Sequence, residues 1–113
     1  MPTRADFMNY VLDQARPNET PTCRRMFGEY ALYLDAKVVA LVCDDVVFLK
    51  PTDIGRALLG HPDEAPAYPG GKPWFRLGDI VEERDRFQAL LRATADALPM
   101  PRPRKAKVKR AGV

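Results

Sequence analysis

The most reactive side chains in this 113-residue sequence are two cysteines, Cys23 and Cys43, and a single histidine, His61. A thiol beside an imidazole base forms a cysteine nucleophile. Cys43, however, shares an apolar run with Leu41, and His61 precedes Pro62 in a segment rich in proline and glycine. This pattern favours core thiols and a solvated histidine, so we predict no catalytic residue. Structural zinc usually takes four Cys or His ligands, so we also predict no metal and no cofactor.

Two carboxylate pairs and one glycine-rich segment are the remaining candidates for chemistry. Asp44–Asp45 and Glu82–Glu83 are adjacent residues, which point to opposite faces of a strand or stand exposed in a turn. Segment 69–72 (PGGK) has glycines and a lysine, but it lacks the wider spacing of a phosphate-binding loop. We interpret all three as turn-forming, solvated segments, and we expect the protein not to be an enzyme.

The charge is distributed unevenly along the chain. Residues 1–98 hold 12 basic and 15 acidic residues, so their net charge is 12 − 15 = −3, whereas residues 99–113 hold six cations and no acid. The six cations are Arg102, Arg104, Lys105, Lys107, Lys109 and Arg110. We predict a folded domain over 1–98 and a basic, disordered tail over 99–113. Weak, non-specific nucleic-acid binding through this tail is the alternative function, without base stacking because the tail has no aromatic residue.

No segment has the pattern of a secretion signal or a membrane span. Arg4 and Asp6 stand near the start, and no run of about 18 apolar residues follows. Two cysteines are also fewer than a disulfide-stapled secreted domain of this size normally carries. These features predict a cytoplasmic protein with reduced thiols and no membrane partner.

The sequence predicts one helix at each end of the domain and a shorter helix between them. Apolar residues recur at helical spacing over 3–15 and 85–98, and a shorter helix is predicted over 52–59. Thr3 and Asp85 are the predicted N-caps of the two longer helices.

Short segments rich in Val, Leu, Tyr and Phe predict a curved antiparallel sheet of four to five strands, and hence an α+β fold. They are residues 22–27, 29–34, 38–43, 46–50 and 74–77. Asp35–Ala36 and Asp44–Asp45 fit two-residue hairpin loops, which require φ > 0 at both positions. Gly28 predicts a bend between the first two strands, and 61–73 is predicted as a loop.

The two tight turns fix a register in which both faces of the sheet are apolar. We predict one face with Tyr30, Leu32, Leu34, Val39, Leu41, Cys43, Val46 and Phe48, and another with Ala31, Tyr33, Val38, Ala40, Val42, Val47 and Leu49. An antiparallel sheet with one solvated face would instead alternate apolar and polar residues. We therefore expect helices on one face and a homodimer contact or another protein on the other, because large exposed apolar patches mark interfaces.

Five residues are the predicted interaction residues: Arg24, Arg25, Phe27, Tyr33 and Trp74. Adjacent arginines on a strand face opposite ways, so at least one of the two is expected to be exposed. Such arginines either discourage edge-to-edge aggregation or contact an acidic partner. A further alternative is a small-ligand pocket lined by Tyr33, Trp74 and the loop 61–73.

Two blocks of the sequence resemble the N-terminal domain of the TfoX/Sxy family. The first is 24–33 (RRMFGEYALY), with similarity continuing through 34–50, and the second is 68–75 (YPGGKPWF). The resemblance extends over nearly the whole of the predicted domain. Because several separated blocks occur in the right order, this similarity is more specific than a single motif.

The resemblance implies helices packed on a curved antiparallel sheet, without a catalytic group. It also implies a link to natural competence for DNA uptake, in which longer relatives with a second domain act as transcriptional coactivators alongside the cyclic-AMP receptor protein. This chain has Glu29, Ala31 and Ala36 where family members commonly have glycine. Our leading hypothesis is a non-enzymatic regulatory or protein-interaction module.

Overall fold

The computed structural model describes residues 3–16, 21–26 and 29–99. Within them lie α1 (Ala5–Ala15), β1 (Thr22–Met26), β2 (Glu29–Leu34), β3 (Lys37–Cys43), β4 (Val46–Leu49), α2 (Asp53–Leu59), β5 (Asp63–Pro66), β6 (Pro73–Arg76), a 3₁₀ helix (Gly78–Glu82) and α3 (Arg84–Ala97). The six strands form one antiparallel sheet in the order β1-β2-β3-β4-β6-β5. The α+β fold is therefore confirmed, with slightly more strands than the sequence predicts.

The additional strand is β5, which lies inside the segment 61–73 that the sequence predicts as a loop. Its residues, DEAP, have little intrinsic preference for strands, and it pairs along its whole length with β6. Pro66 is tolerated because β5 is at the edge of the sheet. Tertiary pairing, rather than local sequence, creates this strand.

The N-terminus of α1 is held by the turn between β3 and β4. Arg4, not Thr3, is the N-cap, and the Asp45 carboxylate accepts a hydrogen bond from the Arg4 N–H at 3.0 Å. The hydroxyl of buried Thr3 donates to Glu29 Oε1 at 2.6 Å and accepts from the Asp45 N–H at 3.3 Å. The prediction of Thr3 as a local cap is therefore wrong, because its partners lie on β2 and in the turn between β3 and β4.

The other two helices begin and end close to the predicted residues. Thr52 caps α2 by accepting a hydrogen bond from the Gly55 N–H at 3.0 Å, and Gly60 follows the helix with φ 82°. Helix α3 begins at Arg84, so Asp85 lies in its first turn and is not the N-cap that the sequence predicts. A carboxylate in the first turn still interacts favourably with the helix dipole.

Two tight turns connect the central strands, as the sequence predicts. Asp35 and Ala36 have φ of 55° and 63°, and Asp44 and Asp45 have φ of 53° and 59°. Positive φ at both central positions is the signature of a type I′ hairpin, whose twist matches that of the strands. Ala36 is therefore in the strained, left-handed conformation that glycine adopts more readily.

The pairing of β2 with β3 departs from the prediction because the register shifts within it. Leu32 pairs with Ala40 rather than with Val39, so Val39 is an extra residue in β3. One extra residue moves the side chains beyond it to the opposite face. The predicted grouping of Leu32 with Leu41 on one face is therefore wrong, whereas the predicted pair of Leu41 with Phe48 is confirmed.

One face of the sheet, which we call the covered face, packs against the three α helices. Its four central residues, Leu32, Ala40, Leu49 and Phe75, form one row across the strands, and each is fully buried. The apolar residues that the helices contribute to this core are Met8, Val11, Ala15, Phe87, Leu90, Leu91 and Ala95. Helix α2 reaches the sheet at Gly55, where a Cβ atom would lie 3.5 Å from the Phe75 ring.

Candidate functional site

The opposite face of the sheet, which we call the open face, has no α helix packed on it in the described ranges. Strand pairing aligns its side chains in two rows, since every second residue of a strand points to the same side. From β1 to β5, the first row is Arg24, Ala31, Leu41, Phe48, Arg76 and Asp63. The second row contains Tyr33, Val38, Lys50, Trp74 and Ala65.

The centre of the open face is apolar and close-packed. Ala31 is 0% exposed, and Cys43 and Phe48 are each 6% exposed, although no described helix lies over them. Leu41 and Trp74 remain partly exposed. The accessible apolar surface on this face therefore comes from Leu41 and Trp74 rather than from Ala31, Cys43 or Phe48.

Cations lie over aromatic rings on both sides of this centre. The Arg24 guanidinium is 5.9 Å from the Tyr33 ring centroid, and Lys50 Nζ is 5.9 Å from the Trp74 ring centroid. Such pairs contribute about 0.5–1 kcal/mol each at exposed sites. They hold the aromatic side chains in defined positions, which lowers the entropy that a partner's binding would cost.

At the far edge of the same face, Arg76 forms an ion pair with Asp63. Both Arg76 Nε and Nη2 donate to Asp63 Oδ2, at 2.9 Å and 2.7 Å. The two side chains are 48% and 60% exposed, so the pair is solvated and adds little stability. Its effect is to fix the position of a carboxylate at the β5 edge, opposite in the row to Arg24 at the β1 edge.

Three of the five predicted interaction residues, Arg24, Tyr33 and Trp74, lie on the open face. Arg24 contacts Tyr33, whereas Trp74 lies on β6, three strand spacings or about 14 Å from Tyr33. Arg25 is also exposed but pairs with Tyr30, which places it on the other side of β1. Phe27 lies outside the described residues, as do Gly28 and the six tail cations from Arg102 to Arg110.

Several open-face residues are absent from the set predicted from the sequence: Leu41, Phe48, Lys50, Arg76 and Asp63. The position of Lys50 on the open face could have been predicted from the sequence, because Lys50 lies two residues after Phe48 and therefore shares its face. The position of Asp63 could not have been predicted in this way, since the strand that contains it was predicted as a loop.

Cys43 and His61 occupy different surroundings. Burial, with the nearby carboxylates of Glu29 and Asp44, raises the pKa of the Cys43 thiol to about 11. The thiol is therefore protonated at neutral pH, and a protonated thiol is a weak nucleophile. His61 is exposed and lines a shallow cavity of about 250 Å³ beside Asp63 and Arg76.

Two cavities in the described ranges are lined by residues other than Tyr33 and Trp74. Segment 61–73 contributes His61, Pro62 and Asp63 to the cavity of about 250 Å³, which is completed by Arg76, Leu77, Gly78 and Ile80. Tyr33 and Trp74 lie instead on the open face. A second cavity, of about 470 Å³, lies between the end of α1 and α3, where Ala15 and Gln88 line it.

Two further properties concern metals and membranes. The described ranges contain no group of three or more His, Cys, Asp or Glu side chains placed to hold a metal ion. None of the helices in these ranges has the length and apolarity that a membrane span requires.

Comparison with known proteins matches this fold to a family. A sequence model of the TfoX N-terminal domain matches residues 13–98, which include all six strands and thus both rows of the open face. An uncharacterized 12.7 kDa protein in the trpE 5′ region of Spirochaeta aurantia is 52% identical over 112 residues, covering 99% of this chain and 97% of the relative. The chain therefore belongs to the TfoX N-terminal domain family.

Proposed function

We propose that this chain is a non-enzymatic interaction module that binds a protein through the open face of its sheet. The observation that carries the proposal is the apolar strip around Leu41 and Phe48, which no described helix covers. Aromatic residues and arginine are enriched at the energetic centres of protein interfaces. Tyr33, Trp74 and Arg24 supply these residue types around the strip.

The absence of enzymatic activity is part of the same proposal. The candidate nucleophile, Cys43, is kept protonated by its raised pKa, and the candidate base, His61, lies in a different environment. The arrangement around Cys43 is the opposite of what activates a cysteine, which is a nearby cation or a helix N-terminus.

The regulatory role that we propose is the control of competence or of transcription in the cytoplasm. It is supported by membership of the TfoX N-terminal domain family and by a surface suited to protein contacts. In this role the module would act by docking, so its effect on gene expression would depend on the open face rather than on a reaction.

Affinity capture with matched variants tests which surface binds. The baits are the full chain, Leu41→Lys on the open face, Ile54→Lys on α2, and a chain truncated after residue 98. Ile54 is 44% exposed, so Ile54→Lys adds the same charge to a surface away from the open face. We expect the wild type, Ile54→Lys and truncated baits to retain the same proteins and Leu41→Lys to lose them.

The opposite pattern would contradict the proposal. If Leu41→Lys retains all partners and the truncated chain loses them, the tail is the binding element. Nuclease treatment of the lysate then identifies nucleic-acid bridging, which is salt-dependent. Circular dichroism melts of each variant exclude loss of binding through unfolding.

A further inference from the structure

We infer that the protein bound by the open face is a second copy of this chain, related by a two-fold axis that runs parallel to the strands between β3 and β4. The inference rests on the proposed function of the open face and adds the identity and the register of the partner. It is carried by the order of residues along the two rows.

A two-fold axis parallel to the strands reverses the strand order between the copies. Strand β1 then faces β5 of the second copy, β2 faces β6, and β3 faces β4, with each row facing itself. The ends of the first row are Arg24 and Asp63, which carry opposite charges. Each copy therefore presents Arg24 to Asp63 of the other copy, and this contact occurs twice.

The same operation brings the apolar and aromatic inner residues together, while Arg76 faces Ala31 and Lys50 faces Val38 of the second copy. In the first row, Leu41 faces Phe48 of the second copy, so the apolar centres meet. In the second row, Tyr33 faces Trp74 of the second copy. Aromatic pairs of this kind contribute about 0.5–1.5 kcal/mol beyond the area they bury.

The other face-to-face arrangement is unfavourable. A two-fold axis perpendicular to the strands, along the first row, would make every strand face its own copy. Arg24 would then face Arg24, and Arg76 would face Arg76. Like charges placed opposite each other across an interface oppose association, so charge complementarity selects the parallel axis.

The dimensions of the face suit a sandwich of two sheets. In aligned sandwiches the strands of the two sheets lie within about 30° of each other, which an axis parallel to the strands permits. Six strands of four to seven residues, at about 3.3 Å per residue and a spacing of about 4.8 Å, give a face of about 480 Å² in projection. This projected area is smaller than the ~800 Å² per partner of a standard interface.

The division of roles within this interface follows from exposure. Asp63 is already paired with Arg76 and is 60% exposed, so adding Arg24 from the second copy gives little affinity by itself. The charges instead fix the orientation, while the Leu41–Phe48 centre and the aromatic pair supply the affinity.

Sedimentation equilibrium of the full chain with charge-exchange variants tests the register. We expect the wild type to be a dimer at micromolar concentration. Arg24→Asp and Asp63→Arg should each weaken the dimer by about tenfold, which corresponds to about 1.4 kcal/mol. The double variant Arg24→Asp/Asp63→Arg should be tighter than either single variant, because the pairing between the copies is restored with reversed charges, although the contacts of Arg24 with Tyr33 and of Asp63 with Arg76 are not restored.

A neighbouring residue provides the matched control. Arg25→Asp makes the same change in net charge one residue away, on the other side of β1, and it should leave the dimer unchanged. Recovery in the double variant is a readout that misfolding cannot produce. Leu41→Lys should give a monomer, since it places a charge at the apolar centre.

Three results would overturn the inference. These are a wild-type monomer at about 100 μM, a dimer that Leu41→Lys leaves intact, and a double variant no tighter than its single variants. A concentration of 100 μM corresponds to a binding free energy of about −5.5 kcal/mol, weaker than a stable interface provides. If the wild type is a monomer while Leu41→Lys still loses its partners in affinity capture, the proposed function stands and only the second copy is excluded.

Discussion

The covered face and the open face of the sheet both have apolar centres, but they differ in what lies against them. On the covered face, Leu32, Leu49 and Phe75 are 0% exposed beneath helices supplied by the same chain. On the open face, Leu41 on β3 and Trp74 on β6 stay partly exposed. The three α helices in the described ranges pack on one face only, which leaves Leu41 and Trp74 partly exposed on the other.

The cations of the two faces also differ in their partners. On the covered side, Lys37 Nζ donates to the carbonyl oxygen of Ala95 at 2.6 Å, close to the C-terminus of α3. This contact satisfies a terminal carbonyl and is favoured by the helix dipole. On the open side, Arg24 and Lys50 lie over aromatic rings. Lys37 thus stabilises the end of a helix, whereas Arg24 and Lys50 hold aromatic side chains in place on the open face.

The largest expected effect comes from the same substitution on each face. Leu49→Ala on the covered face should lower the free energy of unfolding by about 3 kcal/mol, because it removes a fully buried side chain and leaves a cavity. Leu41→Ala on the open face should cost about 1 kcal/mol or less, because Leu41 is only partly buried. Urea unfolding at a protein concentration below that of dimer formation measures both.

Equal losses of unfolding free energy from Leu49→Ala and Leu41→Ala would contradict this difference between the two faces. Equal costs at low concentration would mean that the open face is as well covered as the other within a single chain. A cost of Leu41→Ala that grows with protein concentration would instead support association through the open face, since a dimer is stabilised by mass action.

An intermediate effect is expected from pH, because Cys43 is a buried thiol on the open side. Its pKa rises from 9.0 to about 11 in the folded protein, so the folded state keeps the proton while the unfolded chain loses it above pH 9.0. The stabilisation is complete below that pH and is lost progressively as the pH rises towards 11. The expected loss by about pH 10.5 is about 2 kcal/mol.

Urea unfolding of the wild type and of Cys43→Val at about pH 7.5 and about pH 10.5 isolates this contribution. Other groups also titrate in this range, and they do so equally in both proteins. The wild type should therefore lose more stability than the variant between the two conditions. Identical losses would show that the thiol is ionised in the folded state and that this part of the open face is wetter than its 6% exposure indicates.

The smallest expected effect comes from the Asp35–Ala36 turn, which connects β2 to β3. Ala36 has φ 63°, so Ala36→Gly should raise the free energy of unfolding by up to about 1 kcal/mol by relieving strain. The control Ala89→Gly lies at an exposed position inside α3 and should lower it by about 0.5–1 kcal/mol. Thermal melts of both variants compare them, and a loss of stability from Ala36→Gly would contradict the type I′ geometry.

Features with local causes could be predicted from the sequence. The two hairpins follow from dipeptides of fixed length between strands, and α2 lies within the segment 52–59 that the sequence predicts as a helix. The start of α1 could not be predicted in this way. The partners of Thr3 are Glu29 and Asp45, which approach it only after the sheet has formed.

The composition of the candidate site was predictable only in part. Arg24, Tyr33 and Trp74 are surface-type aromatic or basic residues on predicted strands, so they could be named from the sequence. Their neighbours Arg76 and Asp63 join them through the pairing of β5 with β6 and of β6 with β4. Such pairings are decided by which strands meet in space.

The sequence by itself determined the α+β class, the helices at either end, the central hairpins and the presence of two apolar faces. These depend on periodicity and turn chemistry, which act over a few residues. Only the tertiary structure decided which residues share a face, because the extra residue Val39 exchanges the sides of everything beyond it in β3. It also decided that the helices pack on a single face, since packing depends on contacts between segments far apart in the chain.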